Sequence, residues 1–282
     1  MEINFLGEVQ AISLSGETVS RNVLGSPCEM RTRLRDLHAS GVLQQEGILP
    51  AKQPELVSRD VRGMEIARFP LAPADVTELR LSPRGHAVLT VGDPAPVSSR
   101  CVSGLYLARN RAQLWDLLWC PDVEGLAPDS ASWSPDERRI AFAHQNQVFV
   151  MALDERRPRL VGRGRFVRWS PVADRIAFVD GDHVVIQGLR PNDPQKHLVV
   201  PGLIANSVEW SPNGQYFVAA WRAKIQPGDG RVLHELGIVD ASTWQVRPLG
   251  VQRWGDRSDL RWVPLTLSRI DDLVTTRKAA CE

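Results

Sequence analysis

Apolar positions along this chain come in short runs broken at regular intervals by turn residues, and the breaks repeat. Ser132-Trp133-Ser134-Pro135-Asp136-Glu137-Arg138-Arg139-Ile140-Ala141-Phe142-Ala143 returns as Arg168-Trp169-Ser170-Pro171-Val172-Ala173-Asp174-Arg175-Ile176-Ala177-Phe178-Val179. It returns again as Glu209-Trp210-Ser211-Pro212-Asn213-Gly214-Gln215-Tyr216-Phe217-Val218-Ala219-Ala220. Weaker copies flank these three, Leu79-Arg80-Leu81-Ser82-Pro83 before and Leu260-Arg261-Trp262-Val263-Pro264 after. Each copy reads as a strand ending at Trp, a tight turn whose φ is preset by Pro, and a second apolar strand. A third strand follows, Val148 to Leu153 in one repeat and His183 to Ile186 in the next. A fourth returns to the following Trp through Arg159-Leu160-Val161 or His197-Leu198-Val199-Val200. The pattern predicts four-stranded antiparallel meanders.

The copies recur at intervals of 52, 36, 41 and 52 residues, against roughly 40–45 for a four-stranded propeller blade. The two long intervals hold insertions between second and third strands, at Gly92 to Ser103 and Arg222 to Leu233, both of loop composition. Too few strands follow Trp262 to complete a sheet, with one more expected near Asp272 to Thr276. Ile3 to Leu6 and Val9 to Leu14 have strand patterns that can complete it, so both termini are expected in one composite sheet. Met64 to Pro70 reads as an outer strand. Met30, Leu34 and Leu37 fall at helical spacing before Gly41, which predicts a short helix within residues 26–43. The expected division is therefore 1–74, closing strands and helix, and 75–282, the repeats.

Trp-Ser-Pro-Asp/Asn-Gly followed by Ile-Ala-Phe-like and Ile-Tyr-Val-like strands resembles the TolB-like and WD-repeat-like β-propeller repeats. The resemblance covers residues 75–265 and is sharpest in the middle three copies. It implies an all-β fold, a closed β-propeller of six four-stranded blades, five of them recognisable here. Leu81 replaces Trp in the first copy and Val263 replaces Ser in the last.

Composition changes this picture little. Lys and Arg number 34 against 33 Asp and Glu, 43% of residues are apolar and 24% charged, an ordinary globular balance that points to no polyanionic partner. No apolar stretch nears the roughly 18 residues of a membrane span, and the N-terminus has Glu2 where a secretion signal carries basic residues. The expectation is a cytoplasmic protein. Cys28, Cys101, Cys120 and Cys281 contain no Cys-x-x-Cys pair, so free thiols are expected.

Catalytic signatures are missing: no Gly-x-Ser-x-Gly, no His-Glu-x-x-His and no phosphate-cradling glycine loop. Six histidines never pair at i, i+2 or i, i+4, and Asp180-Gly181-Asp182 lacks the remaining ligands of a calcium loop. No catalytic residue, metal or cofactor is assigned. Trp133, Trp169, Trp210 and Trp262 share one repeat position and read as core wedges. Trp221, at the mouth of an insertion, reads as a surface candidate. Arg156, Arg157, Arg159, Arg163, Arg165 and Arg168 put six guanidinium groups in thirteen positions. That run fits a solvated loop, an acidic protein partner or a nucleic-acid backbone, and overall neutrality speaks against the last. The expected function is a noncatalytic protein-interaction, scaffolding or regulatory module whose acidic partner meets Arg163, Arg165, Arg168, Trp221, Lys224 and Arg231. Two alternatives are a DNA-binding regulator with a winged-helix-like element at 20–45 and a degenerate hydrolase-associated propeller.

Overall fold

Short apolar strands between Pro, Gly and Asx turns leave each strand little choice but to pair with its sequence neighbour, and a computed structural model bears this out. It describes residues 2–3, 8–12, 18–23, 32–38, 41–46, 55–60, 62–70, 78–92, 101, 104–112, 115–121, 128–193, 195–199, 203–223, 233–253 and 259–260. Among these, β1 (Glu2–Ile3), β2 (Glu8–Ile12) and β3 (Thr18–Val23) run as one antiparallel meander. The next is β4 (Thr32–His38), β5 (Gly41–Glu46), β6 (Glu55–Asp60) and β7 (Glu65–Pro70). Then come β8 (Glu78–Leu81), β9 (Ala87–Gly92), β10 (Gly104–Arg109) and β11 (Asp116–Trp119), followed by β12 (Ser130–Trp133), β13 (Arg139–His144), β14 (Gln147–Ala152) and β15 (Arg159–Arg163). The last two full meanders are β16 (Arg165–Trp169), β17 (Arg175–Asp180), β18 (His183–Gly188) and β19 (Gln195–Val199), then β20 (Leu203–Trp210), β21 (Tyr216–Ala223), β22 (Leu233–Asp240) and β23 (Val246–Arg253). The described strands end with β24 (Asp259–Leu260), which pairs antiparallel with β1, Glu2 opposite Leu260 and Ile3 opposite Asp259. Six four-stranded antiparallel sheets result.

The chain ends thus share one sheet, in a ratio of three N-terminal strands to one C-terminal strand. The expected strand near Asp272 lies outside the described residues. Residues 32–70 form a complete sheet of their own, which the repeat motif does not mark because it has no Trp-Ser-Pro turn. The expected helix is also corrected: residues 32–38 and 41–46 are a hairpin, and no helix occurs among the described residues. The ladder register shifts between Leu34 and Asp36, a bulge that puts positions three apart at equal ladder parity. Spacing that looks helical is thereby accommodated in a strand. The winged-helix reading of 20–45 falls with the helix.

Cores lie between consecutive sheets. Leu105, Leu107, Phe142 and Met151 fill one such layer and Val208, Trp210, Phe217 and Val239 another. First strands pack on one another in chain order: β4 on β8, β8 on β12, β12 on β16, β16 on β20, and β20 on β24. Trp133, Trp169 and Trp210 are 7%, 4% and 4% exposed at the ends of β12, β16 and β20, as the repeat predicted.

The motif serine has a local task. Ser134 and Ser211 hydroxyls accept the N–H groups of Arg139 and Tyr216, at 2.9 and 3.0 Å, and reach the side chains of Asp136 and Asn213 at 2.5 and 2.7 Å. Val172 takes that place after Ser170, and the Ser170 hydroxyl is left without a partner.

The free-thiol expectation needs a second correction, because Cys101 and Cys120 form a disulfide with Cα atoms 5.8 Å apart. Cys101 lies beside β10, where the Tyr106 hydroxyl donates to the Cys101 carbonyl at 2.6 Å. A closed loop of this length stabilises by about 3 kcal/mol through the unfolded state. Peptide mapping of denatured protein should find Cys101 and Cys120 alkylated only after reduction, and Cys101→Ser should cost about 2–3 kcal/mol in a urea melt. Alkylation of both without reductant would contradict the bond.

Candidate functional site

Residues preceding each motif Trp by one position must face away from the Trp side of the strand. In β8, β12, β16 and β20 these are Arg80, Ser132, Arg168 and Glu209. They converge. Glu78, two residues before Arg80, accepts from the Arg80 Nε at 2.8 Å and from the Arg168 guanidinium at 3.2 Å. The Arg168 Nε donates to Glu209 at 3.1 Å. Arg168 therefore ties β16 to a sheet two places back and to the next one on. Around the charges, Glu78 also accepts the Ala131 N–H at 2.8 Å, Ser130 accepts the Val167 N–H at 2.8 Å and Ser132 accepts the Trp169 N–H at 2.9 Å. Side chains of β8 and β12 thereby satisfy backbone donors of β12 and β16, which edge-to-edge packing of first strands would otherwise leave unpaired.

Two positive and two negative groups balance in this cluster, and each Arg charge has a carboxylate in reach. Burial pushes the Glu78 carboxyl toward protonation, but the Arg80 and Arg168 charges and the Ala131 amide outweigh it, holding the group below its ordinary value.

The basic run is spread by this architecture. Arg156 pairs with Asp116 at 2.6 Å, and Arg165 with Asp129 at 2.7 Å. Arg168 is buried in the charge cluster, so it offers no surface to a partner. Arg157, Arg159 and Arg163 are exposed, with no ion pair among the described residues. Arg163 and Arg165 flank Gly164, whose φ of +151° and N–H bond to the Asn146 carbonyl at 3.0 Å fold the β15–β16 crossing onto the β13–β14 turn. A Cβ there would stand 2.5 Å from the Val179 carbonyl oxygen. Trp221, expected at the surface, is 1% exposed. Its ring lies in the layer between the β16–β19 and β20–β23 sheets, and it too is withdrawn from any surface role. Lys224 and Arg231 lie outside the described residues.

Glu78, Arg80 and Glu209 were missed as site residues. The signal was present in the repeat itself, since aligning the copies on Trp shows charge at the preceding position in Arg80, Arg168 and Glu209. Among the described residues no group of three or more His, Cys, Asp or Glu is placed to hold a metal ion.

Two solved structures share this arrangement of sheets. One was assigned as TolB from Agrobacterium tumefaciens, at 14% identity, covering 76% of this chain and 78% of that one with a TM-score of 0.52. The other is hydrazine synthase from Kuenenia stuttgartiensis, at 12% identity, covering 74% of this chain and 62% of that one with a TM-score of 0.51. The likeness is one of fold. It supports a propeller-type repeat of four-stranded sheets. No family model matches the sequence, and no curated protein does.

Because the Glu78 carboxyl is depressed in the folded protein, it contributes stability above the ordinary value of 4.5, and that contribution is lost as pH falls toward the folded value. The urea midpoint should drop as pH is lowered below about 4.5, and Glu78→Gln should flatten the drop while costing about 3–5 kcal/mol at neutral pH by removing the buried carboxylate that lies between Arg80 and Arg168. An unchanged pH profile in that variant would remove Glu78 from the account.

Proposed function

We propose that the six sheets are the blades of one closed six-bladed β-propeller, fastened by the β24–β1 pair. We further propose that the protein is a noncatalytic module binding an acidic protein partner. Closure is supported by the order in which first strands pack and by the sharing of one sheet between the chain ends. On this reading residues 1–74 are not a separate unit: they supply three strands of the composite blade and all of the next.

The partner face follows from the meander. Turns joining second to third strands open on the side where fourth strands cross to the next sheet, so the β13–β14 turn shares a side with Gly164. The carrying observation is that Arg163 stands exposed at that crossing with no carboxylate partner among the described residues, whereas Arg157 and Arg159 lie at the opposite end of β15. Charges already engaged within the fold are poor anchors, whereas unpaired guanidinium groups are ready for bidentate capture of carboxylates. Loops on a rigid scaffold commonly bear such functions.

The compartment belongs to the same proposal. Disulfides persist in oxidising surroundings, so Cys101–Cys120 favours an oxidising compartment over the cytoplasmic location expected from the sequence.

Capture from a lysate of the native host with tagged wild-type protein and the Arg163→Glu variant tests the partner face. The variant should lose at least about tenfold of the bound partner, since turning one such attraction into a repulsion is worth on the order of 1.4 kcal/mol or more, with an unchanged melting midpoint. Undiminished capture by that variant, with capture abolished by Val172→Glu among the Ser-Pro turns, would assign the wrong side.

A further inference from the structure

Trp244, in the connection from β22 to β23, has φ +65°, a conformation bulky residues rarely adopt. The turn is built to hold it. The Asp240 carboxylate accepts the N–H groups of Ser242 and Thr243 at 2.8 and 2.9 Å and the Ser242 hydroxyl at 2.6 Å, and the Trp244 N–H donates to the Asp240 carbonyl at 2.8 Å. Those bonds keep the Asp240 carboxyl ionised down to about 2, so the turn persists at any ordinary pH. Arg156 and Asn192 occupy the same place, four residues past the ends of β14 and β18, with φ +53° and +68°. At that place Arg156 reaches back to the preceding sheet and finds Asp116. Trp244 reaches back and lines a cleft.

The cleft, of about 390 Å³, lies on the Ser-Pro-turn side between the β16–β19 and β20–β23 sheets. Ile186 and Ala241 contribute apolar wall, and the Trp244 ring is braced by Phe217, with centroids 6.2 Å apart. Two buried donors there have no acceptor, the Trp244 Nε1 and the Arg175 Nε. Arg190 and Lys196 stand exposed at the rim with no ion pair among the described residues, and the Lys196 ammonium sits 5.8 Å from the Trp244 ring centroid. The cleft's two acids are each partly engaged: Asp174 pairs with Arg139 at 3.0 Å, its Oδ1 accepting no hydrogen bond, and Asp193 accepts the Arg190 N–H at 3.1 Å. Unpaired cations, unused donors and a strained aromatic wall together describe a receptor for an anion with a flat body.

We propose that this cleft binds a small aromatic carboxylate, its ring against Trp244 and its carboxylate between Arg190 and Lys196. The size suits one or two fused rings and no more, being near the lower end of ligand cavities, roughly 300–1,000 Å³. The site lies on the side away from the proposed partner face and stands without that proposal.

Calorimetric titration of the full chain with indole-3-acetate and benzoate, beside the neutral indole-3-acetamide, tests it. Indole-3-acetate should bind saturably and quench tryptophan fluorescence, with the amide at least about tenfold weaker. Arg190→Gln/Lys196→Gln should weaken the carboxylate at least about tenfold while leaving the melting midpoint in place, and Trp244→Leu should abolish the quenching. Absence of saturable binding by both carboxylates up to about 5 mM, near the weakest specific affinities, would overturn the proposal. So would equal affinity for acid and amide, or full affinity in the Arg190/Lys196 variant.

Discussion

Everything in this fold depends on how one sheet is held against the next, because a lone four-stranded meander has two apolar faces and cannot cover both. The motif Trp solves this with burial of its ring between sheets and one or both of two further contacts. Its Nε1 donates to a carbonyl of an earlier first strand in Trp133, to Arg80 at 3.0 Å, and in Trp210, to Arg168 at 3.2 Å, while the Nε1 of Trp169 has no acceptor, and an Arg from the preceding sheet lies over Trp169 and Trp210. Arg139 covers Trp169 at 4.9 Å and Arg175 covers Trp210 at 4.8 Å. Apolar burial dominates, since truncating a core aromatic costs about 3–5 kcal/mol, whereas a cation over a ring adds about 0.5–2 kcal/mol. The smaller term has the greater directional demand and orients the β16–β19 and β20–β23 sheets on the sheets before them.

The same alternation that turns Trp into one layer turns the preceding residue toward the other first strands. Arg168 and Glu209 therefore meet Glu78 because Trp169 and Trp210 occupy the opposite face of their strands. A buried four-charge cluster is an expensive way to stabilise a fold, and a well-packed apolar set often does as well. Its effect here is geometric: Arg168 spans three sheets at once, which only one relative placement of β8, β16 and β20 allows.

Most of the fold was legible because strand, turn and strand are written locally, in the Trp-Ser-Pro copies and the insertions between second and third strands. The sheet of β4–β7 was not, since it lacks the motif and its bulge disguises strand spacing as helix. The disulfide was invisible for another reason, Cys101 and Cys120 being joined by the path of an insertion and not by any motif. Among the expected site residues, Arg163 is exposed and Arg165 pairs with Asp129, while Arg168 and Trp221 were misjudged because a charge run and a loop-mouth position say nothing about strand parity. Trp244 gave no sequence signal at all; its significance lies in a backbone angle.

The inter-sheet latch is the claim on which the rest stands, and a double-mutant cycle on Arg175 and Trp210 tests it most directly. Urea melts of Arg175→Ala, Trp210→Ala and the double variant should show Trp210→Ala losing about 3–5 kcal/mol and the two losses failing to add by about 0.5–2 kcal/mol. Additivity within about 0.3 kcal/mol, with Trp210→Ala costing less than about 1 kcal/mol, would contradict a latch between neighbouring sheets.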